Sequence, residues 1–407
     1  MDDAARVSML GAYGAWAAGR VGEGPGRLSL RAAGQSDVEA WRRMARARVV
    51  DLLAAPDGVA ADVRVEARGR RDDLEVELLS WQLGWGPRTE ACLLKPAGAT
   101  GRLPGMLALH DHGGFKYFGW RKIVRTQLSP LHPAVERHQR EYYDGIGWPD
   151  AVARRGYAVL CHDTFAFGSR RIRAADLPDL VVERLMQPPL DRRELEPGET
   201  WDEDAAAACD VPSDEPSERI DRYNAFAGQH ESIVAKSLFS AGLTWPGVVL
   251  AEDRAALAYL ASRADVDPGR LACCGLSGGG LRTCFLAGMD DRIRAAVTVG
   301  FLTTWRDFLL HKSHTHTWMI YVPGLPPDLD FPEILGLRAP RASLALAATD
   351  DPLFTRAETE RAGRMLAEVY RNAGAPEAFR LSWHPGPHRF DRAMQAEAFD
   401  WIDAWTT

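Results

Sequence analysis

The chain has 407 residues, of which 46% are hydrophobic and 26% are charged, and its formal net charge is −7. This is the composition of an ordinary globular protein that is long enough to bury a large core. A mildly acidic chain without a basic run is a poor candidate for nucleic-acid binding, and no apolar stretch reaches the roughly 18 residues of a membrane helix. The six cysteines are scattered, with neither a disulfide framework nor paired zinc-site spacing, and the acidic amino terminus does not resemble a secretory signal. We therefore predict a cytoplasmic protein that binds neither nucleic acid nor a membrane.

The first part of the chain predicts helix, followed by strands. Residues 1 to about 57 are predicted as a helical segment, with its best stretch at Asp37–Ala54. Alternating apolar and polar residues then predict strands that open a sheet in antiparallel fashion, at Val63–Glu66, Leu74–Gln82 and Thr89–Leu94.

Short, continuous apolar runs follow, and they predict strands that are buried on both faces. They lie at Pro104–Leu109, Tyr157–Cys161, Leu271–Cys274, Ala295–Val299 and Leu344–Ala348, and the last strand is predicted at Ala378–Trp383. Amphipathic helices are predicted between or after them, at Val248–Arg263, Arg356–Asn372 and Ala393–Trp405. This alternation is typical of a mainly parallel central sheet with helices on both faces. We predict one such α/β domain over residues 58–407, interrupted at about 116–148 and 170–245 by insertions that are either surface segments or lids over an active site.

The stretch Gly275-Leu-Ser277-Gly-Gly279 carries the strongest functional signal. An apolar strand runs into it and a helix with small residues runs out of it. A sharp strand–turn–helix connection exposes a serine hydroxyl, and glycines two residues before and after the serine avoid clashes in so tight a turn. The glycines do not fit a dinucleotide-binding or phosphate-binding loop. Ser277 is therefore the predicted nucleophile.

A serine hydroxyl needs a base within hydrogen-bond reach and a carboxylate that orients the base. In this architecture the acid and then the histidine follow the serine along the chain, on loops after later strands. Asp351, after the strand Leu344–Ala348, is the predicted acid, with Asp350 as the alternative. His388, in the loop after the last strand, is the predicted base, and His384 is assigned to the structure of that loop.

Attack on a carbonyl also requires two N–H donors for the oxygen that becomes negative. The amide of Gly278, directly after the nucleophile, is the first predicted donor. The second is expected in the loop after the first parallel strand, His110-Asp-His-Gly-Gly114. We favour Gly114, with Gly113 or Phe115 as alternatives, and we assign the His112 ring a structural role.

Aromatic residues are candidates for the wall of a substrate pocket, although packing in the core explains them as well. The predicted substrate-binding residues are Trp245, Trp305, Trp318 and Phe115, and further candidates are Trp120, Tyr142 and Tyr143. His311, His314 and His316 are candidates for a metal site, but no partnered carboxylate or cysteine motif lies beside them. We favour histidines that line a pocket. No metal and no cofactor is expected.

Taken in order, these motifs resemble a known family. The sequence HDHGG, then Asp163-Thr-Phe-Ala-Phe-Gly168, GLSGGG, DDPLF and PGPHRF is similar to the α/β-hydrolase superfamily, within it most to the branch of dienelactone hydrolases and acetyl xylan esterases. The resemblance covers roughly residues 60–407. It implies an α/β-hydrolase fold, a triad of Ser277, Asp351 and His388, and an oxyanion hole at Gly278 and the HGG loop. Dienelactone hydrolases use a cysteine nucleophile, so the serine at 277 argues against that lactone activity.

The sequence thus predicts a serine hydrolase that cleaves a carboxylic ester, with an acetyl or other short acyl group and possibly a carbohydrate alcohol, through an acyl-enzyme. The partner implied is a small ester molecule. Two other functions stay open, namely an aminopeptidase or amidase of the same superfamily and a non-catalytic binding protein with the hydrolase fold.

Overall fold

The computed structural model describes residues 8–22, 24–32, 37–186 and 216–406. Most of the acidic part of the second predicted insertion, from Asp191 to Glu218, lies outside the described residues.

A nine-stranded sheet runs through the molecule in the order β1-β2-β3-β5-β4-β6-β7-β8-β9. The first three strands are antiparallel to their neighbours, and all pairs from β5 to β9 are parallel. The strands are β1 Ala61–Arg71, β2 Leu74–Gln82, β3 Thr89–Pro96, β4 Leu103–Leu109, β5 Ala158–His162, β6 Val266–Leu276, β7 Ile293–Val299, β8 Ala342–Ala348 and β9 Phe379–His384. The antiparallel opening and the parallel centre confirm the predicted fold class.

The helices connect these strands and cover both faces of the sheet. They are α1 Gly14–Val21, α2 Val38–Leu53, α3 Pro133–Tyr143, α4 Trp148–Arg154, α5 Asp179–Met186, α6 Ser217–Ser240, α7 Trp245–Ser262, α8 Gly278–Met289, α9 Phe331–Gly336, α10 Arg356–Asn372 and α11 Arg392–Thr406. One apolar core contains residues of α2, α7, α8 and α10, and a second core, on the other side of the sheet, contains residues of α4 and α11. Successive residues of one strand enter different cores, as Cys273 and Cys274 of β6 do.

Strand β6 begins earlier than its apolar run predicts. Val266 already pairs with Leu103, and the register then shifts so that Leu271 pairs with Gly105. Residues 268–270 form a bulge inside the strand, because β6 pairs with β4 on both sides of them.

Helix α2 packs against the first core instead of forming a separate unit. Trp41, Val49 and Leu53 are fully buried there, and the Trp41 indole N–H donates to the Leu28 carbonyl at 2.6 Å. The amino-terminal helical segment therefore stabilises the same core as the sheet does.

The two predicted insertions pack on each other and form a small apolar cluster. Phe115 and Phe118 from the first insertion contact residues of α5 and α6 from the second, including Val182, Tyr223 and Phe226. Long insertions remain ordered when they bury apolar side chains of their own.

Five cysteines of the described chain, Cys92, Cys161, Cys273, Cys274 and Cys284, are buried free thiols in strands β3, β5 and β6 and helix α8. Burial raises the pKa of each thiol, for Cys273 and Cys284 to about 12. Within the described ranges no single helix is long and apolar enough to cross a membrane, and α6 with α7 reaches that length only as a pair bent by 85°.

Candidate active site

The turn between β6 and α8 holds Ser277 in an unusual backbone conformation. Its φ is +56°, in the left-handed region that non-glycine residues rarely occupy. The Ser277 N–H donates to the Val299 carbonyl at 2.8 Å, and the Ser277 carbonyl accepts from Leu281 at 2.9 Å. Both bonds fix the turn, so the side chain is presented at the amino terminus of α8, where free N–H groups and the helix dipole favour negative charge.

The flanking glycines are required by close backbone approach. A Cβ atom at Gly275 would lie 2.5 Å from the Leu109 carbonyl oxygen, and one at Gly279 would meet the same oxygen even more closely. The GxSxG pattern is thus explained by packing of the turn against the end of β4.

His388 and Asp351 form a hydrogen-bonded pair. Nδ1 of His388 lies 2.6 Å from Oδ2 of Asp351, and both side chains are largely buried. The other Asp351 oxygen accepts from the Leu353 N–H at 2.9 Å. Nε2 of His388 is buried and makes no hydrogen bond within the described residues, so it is the ring nitrogen that is free to exchange a proton.

The neighbouring candidates have other partners. Asp350 accepts from the Gly386 N–H at 3.2 Å and so holds the loop that carries His388. His384 pairs with Glu397 of α11 at 2.7 Å. Asp351, and not Asp350, therefore contacts His388. His384 instead connects its loop to α11 through Glu397.

Ser277 and His388 line one cavity of about 240 Å³. Its other lining residues come from the loop after β4, helix α3, the end of β6, the start of α8, and the segments after β7 and β8. They are Asp111, His112, Gly113, Gly114, Tyr142, Leu276, Gly278, Phe301, Thr315, His316, Thr317 and Leu353. Gly300, at φ +57°, contributes by having no side chain, because a Cβ there would lie 2.9 Å from Cε1 of His388. The sequence analysis missed Gly300, although a glycine directly after a parallel strand is a signal for close approach.

The loop after β4 is held by its own hydrogen bonds. The Gly114 N–H donates to Nδ1 of His112 at 3.1 Å, so this amide is already used. The His112 N–H donates to no protein acceptor in the part of the chain that the structure describes. A Cβ at Gly278 would lie 2.7 Å from the His112 nitrogen. The backbone nitrogen next to the serine turn is therefore that of His112 and not that of Gly114.

A buried carboxylate from the second insertion reaches this loop. Oε1 of Glu231, in α6, lies 2.6 Å from Nε2 of His112 and 2.6 Å from Nζ of Lys116. Oε2 accepts from Thr317 Oγ1 at 2.8 Å and from the Trp318 N–H at 3.2 Å. Burial raises the pKa of Glu231, but the hydrogen bond from His112 and the charge of Lys116 outweigh this and hold it well below its usual range. Sequence reasoning missed Glu231, since no motif surrounds it.

His316 is another histidine in the wall of the cavity. Its Nδ1 lies 2.9 Å from the Lys312 carbonyl, and its ring packs against Phe354 with centroids 4.9 Å apart. Burial lowers the pKa of His316 to about 4. The ring is therefore neutral near pH 7 and adds no positive charge beside His388.

Two of the four predicted substrate-binding residues lie in the core, which corrects the sequence prediction. Trp245 is 1% exposed, packs on Phe165 and lies beneath the Lys116 ammonium, 4.8 Å from the ring centroid. Trp305 is 4% exposed, and its indole N–H donates to the Leu329 carbonyl at 3.0 Å. Their side chains stabilise neighbouring segments and do not line the cavity.

The other two predicted residues lie beside the cavity but not in its wall. Phe115 packs edge-on against Phe118 in the insertion cluster, and it borders an adjoining groove. Trp318 is 37% exposed and follows Thr317, which does line the cavity. Of the further aromatic candidates, Tyr142 lines the cavity. Sequence could not separate these cases, because an aromatic residue suits core and pocket equally.

Among the described residues no three His, Cys, Asp or Glu side chains come together as a metal site. His311, His314 and His316 thus do not converge with one another or with other such donors there.

No protein-family model matches the chain. A curated relative, "Putative hydrolase YtaP" of Bacillus subtilis (strain 168), is 24% identical over 353 residues, which are 86% of this chain and 94% of that protein.

Solved structures resemble the whole architecture. A putative acetyl xylan esterase from Bacteroides fragilis superposes with a TM-score of 0.63 at 14% identity, over 92% of this chain and 83% of that one. A glucuronoyl esterase from Solibacter usitatus superposes with a TM-score of 0.55 at 15% identity, over 94% of this chain and 98% of that one. The chain therefore has the α/β-hydrolase fold, and the resemblance predicted from the sequence is confirmed at the level of the fold.

Proposed function

We propose that this protein is a serine hydrolase that cleaves a carboxylic ester through an acyl-enzyme. The observation that carries the proposal is the Asp351–His388 pair, whose free Nε2 lies in the cavity wall shared with Ser277 at its strained turn. Nucleophile, base and orienting acid are the three groups that acyl transfer by a serine requires. The names of the similar structures, which are esterases, support an ester as the substrate.

In the first half of the reaction, Ser277 Oγ bonds to the ester carbonyl carbon as its proton passes to His388 Nε2. The carbon–oxygen bond to the alcohol then breaks, and the alcohol leaves with that proton. In the second half, water attacks the acyl-enzyme, gives its proton to His388 and releases the carboxylic acid, and the proton returns to Ser277. Asp351 keeps Nδ1 protonated throughout and stabilises the imidazolium.

For the oxyanion hole we propose the amides of Gly278 and His112. The Gly114 amide, favoured from sequence, already donates to the His112 ring. The His112 nitrogen lies next to Gly278, which supports the proposal that the two N–H groups bind one oxygen.

The deciding experiment compares wild type with Ser277→Ala on p-nitrophenyl acetate and on an aminoacyl p-nitroanilide. We expect the ester to be cleaved by the wild type, and Ser277→Ala to lower kcat by about 10⁴- to 10⁶-fold with an unchanged thermal transition. A fluorophosphonate probe should label the wild type and not the variant. Faster cleavage of the anilide would favour an amidase, and a variant that keeps its esterase activity would refute the proposal.

A further inference from the structure

Glu231 connects two segments beside the cavity through one buried carboxylate. Its oxygens contact His112 and Lys116 in the loop after β4 on one side, and Thr317 and the Trp318 N–H on the other. These segments are far apart in sequence, and α6 belongs to the second insertion. A neutral amide has a single acceptor oxygen, whereas a carboxylate has two and can serve both segments.

The hydrogen bonds assign the tautomer of His112. Because Gly114 donates to Nδ1 at 3.1 Å, Nδ1 is an acceptor, and the proton is on Nε2, which donates to Glu231 at 2.6 Å. Carboxylate, ring and amide thus form one chain of hydrogen bonds. The ring can turn neither way without losing a buried partner, and its own backbone N–H is the proposed oxyanion donor.

Resting on the proposed function, we propose that Glu231 is a positioning residue that holds the His112 amide and the Thr317 wall in the geometry that stabilises the transition state. It touches no reacting atom and acts through His112. On this proposal the second insertion supports the oxyanion hole through Glu231.

Lys116 complicates a simple substitution, since removal of Glu231 alone leaves a buried ammonium without its partner. The informative comparison is therefore the double variant Glu231→Met with Lys116→Met against Lys116→Met alone, which differ only in the carboxylate. Glu231→Gln keeps the size of the side chain and one acceptor, and is the second variant. Asp221→Asn removes an exposed carboxylate from the same helix, where it pairs with Arg137, and serves as the control.

We expect the double variant to have a kcat about 10- to 100-fold below that of Lys116→Met, a smaller loss than outright removal of an oxyanion donor, with KM within about twofold. Affinity for a trifluoromethyl ketone, whose serine adduct carries an oxyanion, should fall by the same factor as kcat. Glu231→Gln should fall between wild type and the double variant, and Asp221→Asn should match wild type. Rates are to be normalised to sites titrated with fluorophosphonate, so that a loss of folded protein is not counted.

The proposal is overturned if the folded double variant retains the kcat of Lys116→Met, or if kcat falls while ketone affinity does not. If the double variant does not fold, Glu231→Gln with wild-type kcat and ketone affinity overturns it. Failure of the proposed function is a separate result, because it shows as activity that survives Ser277→Ala.

Discussion

Two neighbouring carboxylates in the loop after β8 have different environments and therefore different expected roles. Asp351 lies 2.6 Å from the His388 ring, while Asp350 accepts a backbone N–H from Gly386. We expect Asp351→Asn to lower kcat by about 10⁴-fold, because an amide favours the wrong tautomer of the imidazole, whereas Asp350→Asn costs less than about tenfold. Steady-state rates on p-nitrophenyl acetate measure both. Equal losses, or the larger loss at 350, would move the acid to Asp350.

That Ser277 and His388 line one cavity, and that Asp351 contacts His388, could be predicted because strand ends gather at one edge of a parallel sheet and the motifs keep their order along the chain. The hydrogen-bond partners of the loop after β4 could not be predicted. The Gly114 N–H donates to the His112 ring, and Glu231 contacts that ring from a helix 119 residues further along the chain. Local sequence carries no information on such a partner.

The turn that carries Ser277 tolerates no added methyl group where it meets β4. We expect Gly279→Ala to abolish most esterase activity and to lower the melting temperature, since its Cβ would overlap the Leu109 carbonyl. Gly228→Ala is the matched control: Gly228 lies on the exposed side of α6, with no atom within 4 Å of an added Cβ. That change should raise stability by about 0.5–1 kcal/mol through helix propensity. Thermal unfolding and rates of the two variants provide the comparison, and a fully active Gly279→Ala would contradict the close packing.

The apolar periodicity of the sequence predicted the strands and the long helices. It did not predict two features of their tertiary packing. The bulge in β6 depends on the pairing of Val266 with Leu103, which periodicity does not reveal. Helix α2 was predicted as a helix, but its contribution to the main core rests on Trp41 and its neighbours packing against distant segments. Periodicity indicates which face of a helix is apolar, and not what that face meets.

For the molecule as a whole, two buried histidines predict a pH dependence of stability. Burial lowers the pKa of both His230 and His316 to about 4, from 6.5 in an exposed chain. Between those values the unfolded chain binds protons that the folded protein does not, so the free energy of unfolding should fall as pH decreases from about 6.5 to 4 and should change little above 6.5 on their account.

Urea unfolding between pH 4 and pH 7 measures this dependence. His230→Gln combined with His316→Gln should reduce this dependence, and part of the remainder belongs to His110 and His112, because burial lowers the pKa of both rings as well. His314→Gln, at an exposed position, should leave it unchanged. An unaltered slope in the double variant would show that folding does not lower the pKa of these two rings.

The rate at which the buried thiols are alkylated measures how often the structure around them unfolds locally. Alkylating reagents attack thiolates, and the five described cysteines are both inaccessible and hard to ionise while the sheet is intact. Once Cys209 is replaced by serine, modification of the protein therefore requires β3, β5 or β6 to open, or α8 to leave the sheet. Mass spectrometry after a timed pulse of iodoacetamide would then measure how often each of these elements opens, in the Cys209→Ser protein and in every variant above made on that background.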